Sequence, residues 1–195
     1  MAELQVARSE FILGGQKSGK SRRAELLARA WLATDASHRA ILLATAQPWD
    51  AEMSQRIARH QADRAERVPG LATLEEPLHL AEAMAQHSQP HTLLVVDCLT
   101  LWLTNWLMPA EPNMSAAVDA EAVVSALVRS IEQARGPVVL VGNEIGLGVI
   151  PLGREVRVFV DALGRLNQAV AGACQRVILM AAGLPLVLKD GQGAA

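Results

Sequence analysis

The sequence is poor in the residues that mark nucleic-acid binding, disulfide frameworks and zinc sites. It contains no tyrosine, its aromatic content is 3%, and its net charge is −2, so neither a basic surface nor a stacking platform for bases is indicated. Only two cysteines are present, Cys98 and Cys174, each inside an apolar segment and without a second cysteine or histidine at zinc-ligand spacing. We therefore expect buried free thiols and no nucleic-acid partner.

Long uninterrupted apolar runs are also absent, although 51% of the residues are hydrophobic. Proline, glycine, asparagine or glutamine divides the apolar stretches, so no membrane span is predicted. The segment MAELQVARSEF at the N-terminus carries acidic residues and has no apolar core of signal-peptide length, which predicts a cytoplasmic protein. For 195 residues we expect one domain over residues 1–195, with residues 1–9 as a loose extension.

Short apolar runs alternate with stretches of helical periodicity, which is the pattern of an α/β protein. Continuous apolar strands between helices predict a mostly parallel sheet with helices on both faces. Because only Ala181-Ala182-Gly183 separates the last two apolar runs, they should form an antiparallel C-terminal hairpin. The predicted strands are 11–13, 41–45, 93–97, 138–141, 177–180 and 184–188, and the predicted helices are 21–33, 51–66, 77–87, 115–135 and 155–175.

A phosphate-binding pattern, G-x-x-x-x-G-K-[ST], is matched at every position by GGQKSGKS, which follows the first apolar run. Glycines let successive backbone N–H groups turn toward one anion, and the following helix adds its positive N-terminal end. Lys20 would reach the β- and γ-phosphates, and the Ser21 hydroxyl would bind Mg²⁺. The alternative is a glycine-rich turn without a ligand. The predicted phosphate-binding residues are Gly14, Gly15, Gln16, Lys17, Ser18, Gly19, Lys20 and Ser21.

Two further predicted strands end in polar residues, at the edge of the sheet where α/β proteins bind ligands. Asp97 follows four apolar residues, which is typical of a carboxylate that holds Mg²⁺ beside a phosphate loop, although a helix N-cap looks the same. After the strand 138–141, Asn143 and Glu144 lie among glycines, either in a mobile loop beside the phosphates or in a tight turn. Glu144 is by its position a candidate base.

One histidine lies among arginines on the predicted helix 51–66. On a helix, Arg56, His60 and Arg64 share one face at a spacing of four residues. The guanidinium groups could hold phosphates in bidentate geometry beside an imidazole that acts as a nucleophile or a base. The pattern by itself favours the other interpretation, a solvated basic helix with a surface histidine.

Six segments together resemble the bifunctional adenosylcobinamide kinase / adenosylcobinamide-phosphate guanylyltransferase family of cobalamin biosynthesis, over residues 11–189. The most specific parts are NEIGLGVIP and the position of His60 at the end of DAEMSQRIARH. The six segments are GGQKSGKSRRAE (14–25), LLATAQPWDAEMSQRIARH (42–60), DCLTLWLTNWL (97–107), VVLVGNEIGLGVIP (138–151), DALGRLNQAVA (161–171) and GLPLVLK (183–189).

This resemblance implies a RecA-like P-loop NTPase fold, a homotrimer and two reactions on one scaffold. A nucleoside triphosphate, ATP or GTP, would phosphorylate the aminopropanol hydroxyl of adenosylcobinamide. GTP would then transfer GMP to His60 as a phosphoramidate, and adenosylcobinamide phosphate would take the GMP to give adenosylcobinamide-GDP. The resemblance further implies Mg²⁺ at Ser21 and Asp97, and a guanine nucleotide near Thr45, Ala46, Gln47, Arg64 and Glu75.

Two other functions are compatible with parts of the sequence. A P-loop kinase of another small alcohol or nucleotide would keep the phosphate loop and Asp97, but it would give His60 no covalent role. A nucleotide switch or a DNA-binding ATPase fits less well, because the chain has no N-K-x-D guanine motif and no basic, aromatic strip.

Overall fold

One seven-stranded sheet organises the computed structural model, which describes residues 4–48, 51–109, 119–149 and 151–191. The strand order is β3-β2-β4-β5-β1-β6-β7. All neighbouring strands are parallel except β6 and β7, so the predicted parallel sheet and C-terminal hairpin are confirmed. The strands are β1 (Ser9–Gly14), β2 (Arg39–Ala44), β3 (Leu71–Glu75), β4 (Thr92–Asp97), β5 (Val138–Val141), β6 (Arg176–Ala181) and β7 (Leu184–Asp190), and the helices are α1 (Lys20–Thr34), α2 (Ala51–Arg67), α3 (Leu80–His87), α4 (Leu99–Leu107), α5 (Ala120–Glu132) and α6 (Arg154–Ala173).

Helices cover both faces of the sheet, because successive strand residues point to opposite sides. On one side, Phe11 and Leu13 pack in a buried cluster to which α3, α4, α5 and α6 contribute. On the other side, Ile12 packs in a second cluster with Leu27 of α1. Every residue of β1 is buried, so the strand that leads into the phosphate loop lies in the middle of a rigid core.

The loose extension predicted over residues 1–9 is wrong for residues 4–9. Ser9 already belongs to β1, and Leu4 and Val6 pack against the second cluster. The Arg8 backbone N–H donates to Gln175 Oε1 at 3.0 Å, and its guanidinium donates to the Glu132 carbonyl oxygen at 2.8 Å. Two alternate apolar residues, Leu4 and Val6, attach this segment, and the short polar and charged stretch around them concealed the pattern.

Two elements of the structure were not predicted, namely strand β3 and helix α4. The predicted helix 115–135 corresponds to α5, and its residues 115–118 lie outside the described residues. Helix α5 begins where the Asp119 carboxylate accepts hydrogen bonds from the N–H groups of Glu121 and Ala122, at 3.0 and 3.2 Å.

Both cysteines are buried free thiols, as predicted. Burial raises the pKa of the Cys98 thiol to about 11 and that of the Cys174 thiol to about 12, because an apolar surrounding disfavours the thiolate. Across the residues that the structure describes, no helix combines the length and the apolar character needed to cross a membrane.

Candidate active site

The phosphate loop begins where β1 ends, and it needs glycine at two positions. Gly14 has a φ of 152°, and a Cβ atom there would lie 2.5 Å from both the Met180 carbonyl oxygen and Ser18 Oγ. Gly19 has a φ of 101° and forms the N-cap of α1, where its backbone approaches Gly183. Any side chain at Gly14 would therefore force the loop away from β6.

Contacts from two distant segments hold the loop in place. The Glu144 N–H, in the loop after β5, donates to the Gly14 carbonyl oxygen at 3.1 Å. The Gly183 N–H, in the β6–β7 turn, donates to the Ser18 carbonyl oxygen at 3.0 Å. Because both contacts come from segments that follow neighbouring strands, the loop conformation is set by the sheet and not by its own sequence alone.

Lys20 is the cation at the centre of this loop. Its side chain is buried, and the ammonium donates to the Gly15 carbonyl oxygen at 2.6 Å. Burial lowers the pKa of Lys20, while Cys98 and Asp97 act in the opposite direction. Ser18 Oγ is buried and makes no hydrogen bond within the described residues. An anion bound here would restore the solvation that the ammonium has lost, and it would offer the hydroxyl an acceptor.

Asp97 is the last residue of β4 and is half-buried at the same edge of the sheet. Ser21, also half-buried, is the second residue of α1. Within the described residues, no group of three or more acidic, histidine or cysteine side chains could hold a metal ion by itself. One carboxylate and one hydroxyl nevertheless suit Mg²⁺, which is commonly bound through one or two carboxylates and the phosphates of a substrate. The donor set therefore fits this ion.

Strand register brings the other predicted residues to this edge of the sheet. Ala44 of β2 pairs with Glu75 of β3 on one side and with Asp97 of β4 on the other. Thr45 follows directly and is fully buried, with its hydroxyl bonded to the backbone carbonyl oxygen and N–H of Cys98 at 2.7 and 2.9 Å. The Thr45 hydroxyl is thus already engaged, whereas Ala46 and Gln47 are half-buried beside it.

His60 lies on α2, in a different environment from the phosphate loop. Its side chain is exposed, and no described side chain of α2 is buried. The neighbouring Gln61 donates to a Glu75 carboxylate oxygen at 3.2 Å, so this part of α2 is linked to the end of β3. Arg64 is half-buried, and its guanidinium makes no hydrogen bond with any described residue. The side chain of Arg56 is outside the described residues.

A clamp on the loop after β5 could not be recognised in the sequence. The Asn143 N–H donates to Thr100 Oγ1 at 2.9 Å, and the Asn143 carbonyl oxygen accepts from Asn167 Nδ2 at 3.1 Å. Thr100 belongs to α4 and Asn167 to α6, so no local sequence pattern connects them. This clamp fixes the residue that precedes Glu144, the partner of Gly14.

A glycine-rich phosphate loop between a buried central strand and a helix, with a lysine in the loop and an aspartate at a nearby strand end, defines a P-loop nucleotide-binding protein. Its sheet is of the RecA-like type. The chain belongs to the cobinamide kinase / cobinamide phosphate guanyltransferase family, whose model matches residues 10–188.

Curated relatives cover nearly the whole chain. The bifunctional adenosylcobalamin biosynthesis protein CobP of Pseudomonas aeruginosa is 46% identical over 181 residues, which cover 92% of this chain and 96% of the relative. The bifunctional adenosylcobalamin biosynthesis protein CobU of Escherichia coli is 33% identical over 189 residues, covering 92% of this chain and 98% of the relative.

A solved structure supports the fold alone. The crystal structure of the flagellar accessory protein FlaH from Methanocaldococcus jannaschii superimposes with a TM-score of 0.53 at 11% identity. The match covers 97% of this chain and 82% of that one.

Proposed function

We propose that this protein phosphorylates adenosylcobinamide with a nucleoside triphosphate and then converts the product to adenosylcobinamide-GDP. The observation that carries the proposal is the buried Lys20, which lies in a preformed phosphate loop and interacts electrostatically with Asp97. Family membership supplies the two reaction types. ATP and GTP are the nucleotide substrates, and adenosylcobinamide and its phosphate are the acceptors.

In the first reaction, backbone N–H groups of residues 14–21 and the Lys20 ammonium hold the phosphates, while the substrate hydroxyl attacks the γ-phosphorus in line. Ser21 and Asp97 hold Mg²⁺, which when bound neutralises charge on the phosphate oxygens. Glu144 accepts the hydroxyl proton. One of its carboxylate oxygens accepts from the Gly146 N–H at 2.6 Å, and the other makes no hydrogen bond within the described residues.

In the second reaction, a ring nitrogen of His60 attacks the α-phosphorus of GTP. A nitrogen–phosphorus bond forms, the bond to the β-phosphate breaks, and pyrophosphate leaves. A phosphate oxygen of adenosylcobinamide phosphate then displaces the histidine, which leaves His60 unmodified and gives the diphosphate product. The exposed position of His60 supports this role, as does the guanidinium of Arg64, to which no described residue is bonded, since a nucleotide can reach both.

The guanine nucleotide lies at the carboxyl ends of β2 and β3. Ala46, Gln47 and Glu75 are partly or fully accessible there. Thr45 is fully buried, with its hydroxyl bonded to Cys98 and its backbone bonded to Asp97 and Asn105, so it positions Ala46 and Gln47 beside the nucleotide. The link between Gln61 and Glu75 keeps this edge of the sheet next to the helix that carries His60.

A lysine pair tests the first reaction. We expect Lys20→Ala to lower kcat for phosphorylation of adenosylcobinamide by about 10²–10³-fold, because charge on the transferred phosphoryl group is no longer neutralised. The control is Lys189→Ala, which removes an exposed lysine that donates only to carbonyl oxygens at the end of α6. Equal kinase activity in Lys20→Ala and in the control would remove Lys20 from the mechanism.

A histidine pair tests the second reaction. After incubation with GTP radiolabelled at the α-phosphate, the wild type should carry label that is acid-labile and base-stable, and His60→Gln should carry none. His91→Gln, which alters another exposed histidine, should label like the wild type. If the wild type takes no label but phosphorylates adenosylcobinamide, the protein is a kinase only. If His60→Gln takes as much label as the wild type, His60 is not the nucleophile.

The proposal includes a homotrimer that works in the cytoplasm without nucleic acid. Strand β7 is the outer strand of the sheet, and its apolar residues are exposed, so it offers a surface that another copy could cover. The net charge of −2 gives no general attraction for nucleic acid. Sedimentation equilibrium would test the assembly, and a monomer at all concentrations would contradict it.

A further inference from the structure

A cavity of about 400 Å³ lies between the loop after β5 and the first turns of α6. The cavity is separate from the phosphate loop, but one of its lining residues, Ile145, directly follows Glu144 in the sequence. The N–H of Glu144 is bonded to the Gly14 carbonyl oxygen of the phosphate loop. The residues that define this loop–α6 pocket are Ile145, Val149, Pro151, Arg154, Val158 and Asp161.

The walls of the pocket are held by polar contacts to the backbone. The Gly146 N–H donates to Glu144 Oε1 at 2.6 Å, which closes the turn that leads into the loop. On the other side, the Arg157 guanidinium donates to the carbonyl oxygens of Pro151 and Leu152, at 3.0 Å for Pro151. The loop is therefore attached at both ends, to the phosphate loop and to α6.

Three apolar residues between β5 and α6 are strongly exposed, and one of them, Val149, lines the pocket. Leu147, Val149 and Leu152 are 82%, 96% and 98% exposed. Contiguous apolar patches of this kind mark surfaces that bind another molecule. Here the patch adjoins a pocket, and the pocket adjoins the residues to which we assign phosphoryl transfer.

Three charged residues of α6 line the pocket, and one of them, Arg157, is already bonded to the carbonyl oxygens of Pro151 and Leu152. Arg154 and Asp161 line it, and neither side chain makes a hydrogen bond or ion pair with any described residue. A guanidinium donates hydrogen bonds and a carboxylate accepts them, so together they match an amide, which carries both a carbonyl oxygen and an NH₂ group. Besides the engaged Arg157, the pocket therefore combines apolar surface with a guanidinium and a carboxylate that no described residue binds.

We propose that the loop–α6 pocket binds the corrinoid part of adenosylcobinamide, an inference that rests on the proposed function. A corrin macrocycle has broad apolar faces and a rim of amide side chains. The face that the adenosyl group leaves open fits the exposed apolar residues of the loop, and the rim amides fit Arg154 and Asp161. The arm that carries the reacting hydroxyl then extends past Glu144 to the phosphate loop, whose Gly14 carbonyl oxygen is 3.1 Å from the Glu144 nitrogen.

A matched pair of valines on one helix tests the assignment. Val158 lines the pocket and is 54% exposed, whereas Val156 does not line it and is 48% exposed. Both Val→Ser changes cost similar helix propensity, so they differ mainly in their relation to the pocket. We expect Val158→Ser to raise KM for adenosylcobinamide about tenfold and Val156→Ser to leave it unchanged. The nucleotide KM and the labelling of His60 by GTP should be the same in both.

A second test of corrinoid binding substitutes a charged residue of the pocket and measures binding directly. Arg154→Gln, at an exposed position, should weaken retention of adenosylcobinamide in equilibrium dialysis without nucleotide, again with unchanged labelling of His60. If the wild type phosphorylates adenosylcobinamide but both pocket variants match Val156→Ser, the inference is wrong and the proposed function stands. If the wild type neither phosphorylates nor retains adenosylcobinamide, both are wrong. If Val158→Ser changes the sedimentation of the protein but not its corrinoid affinity, the patch binds a second copy and the inference is wrong.

Discussion

The phosphate loop and helix α2 carry the two halves of the proposed chemistry, and they are built in opposite ways. The loop follows a fully buried strand and is bonded to the β6–β7 turn and to the loop after β5. Helix α2 has no buried residue among its described side chains. Polar contacts link it to the rest of the protein, from Arg67 to Glu25 of α1 at 3.1 Å and from Gln61 to Glu75 at 3.2 Å.

The buried loop and the exposed helix meet two different requirements of phosphate chemistry. Transfer of a γ-phosphoryl group depends on fixed positions for charges around the phosphates, and a packed core supplies fixed positions. A nucleophile that must accept a nucleotide and then pass it on has to be accessible to two partners in turn. The packing of the sheet thus fixes the conformation of the phosphate loop, whereas the exposed position of His60 leaves it accessible to both of its reaction partners.

The largest expected contrast between the two regions is in thiol reactivity. At about pH 8, a cysteine introduced by His60→Cys should be alkylated at least about a hundredfold faster than Cys98, because an exposed thiol has a pKa near 8.5. The pKa of Cys98 is about 11, and that of Cys174 is about 12. Mass spectrometry after timed exposure to iodoacetamide measures both rates.

The pH dependence of the alkylation rates distinguishes the exposed thiol from the buried thiols further. The exposed thiol gains little above its pKa, while the two buried thiols stay protonated until the pH approaches about 11 and 12. Fast labelling of Cys98 in the folded wild type at neutral pH would contradict the contrast, since it would mean that the core below the phosphate loop opens readily.

A glycine pair tests the rigidity of the loop. Gly14→Ala should lower the free energy of unfolding by about 2–4 kcal/mol, because the new Cβ meets the Met180 carbonyl oxygen and Ser18 at a backbone conformation that disfavours side chains. Gly164→Ala in α6 is the control. A Cβ there meets no atom within 4 Å, so we expect stabilisation of roughly 0.5–1 kcal/mol. Urea unfolding measures both, and a Gly14→Ala protein as stable as the wild type would show that the loop adapts.

The smallest expected effect concerns the attachment of α2. Arg67→Met should reduce global stability by less than about 1 kcal/mol, because the guanidinium is partly exposed and Glu25 keeps a second partner in Arg22. Amide hydrogen exchange should accelerate in α2 and stay unchanged in α4. Arg29→Met, which alters an exposed arginine of α1, is the control for loss of a surface charge. Uniform acceleration across the protein would mean that α2 opens only with the whole fold.

The sequence was sufficient for the parts of the fold that have strong local patterns. The phosphate loop, the apolar strands and the terminal hairpin carry such patterns, and each lies where it was predicted. Helix α4 was missed because it is short and its nine residues, LTLWLTNWL, are mostly apolar and include no charged residue, so the contrast between faces that marks an amphipathic helix is weak. Strand β3 was missed because it is short and mostly exposed, and β2 supplies its pairing.

Long-range polar contacts could not be predicted in the same way. Glu10 is fully buried in β1 and is neutralised by Arg23 of α1 at 2.7 Å and by Arg176 of β6 at 3.4 Å. In the sequence Glu10 is only an acidic residue directly before an apolar run, because its partners lie on other elements. The role of Thr45 was likewise invisible, since the partner of its hydroxyl, Cys98, is brought near only by the pairing of β2 with β4.

The hydrogen bond from Gly183 to Ser18 also has a consequence for how the protein is made. The phosphate loop leaves the ribosome well before the turn that supports it, because Ser18 and Gly183 lie far apart in the sequence. Strand β1 must likewise wait for β6, its partner in the sheet, to be synthesised. Contacts between residues so far apart in the sequence also form slowly. A nascent chain therefore cannot complete the support of its phosphate loop before the β6–β7 turn emerges, so products truncated ahead of this turn lack that support.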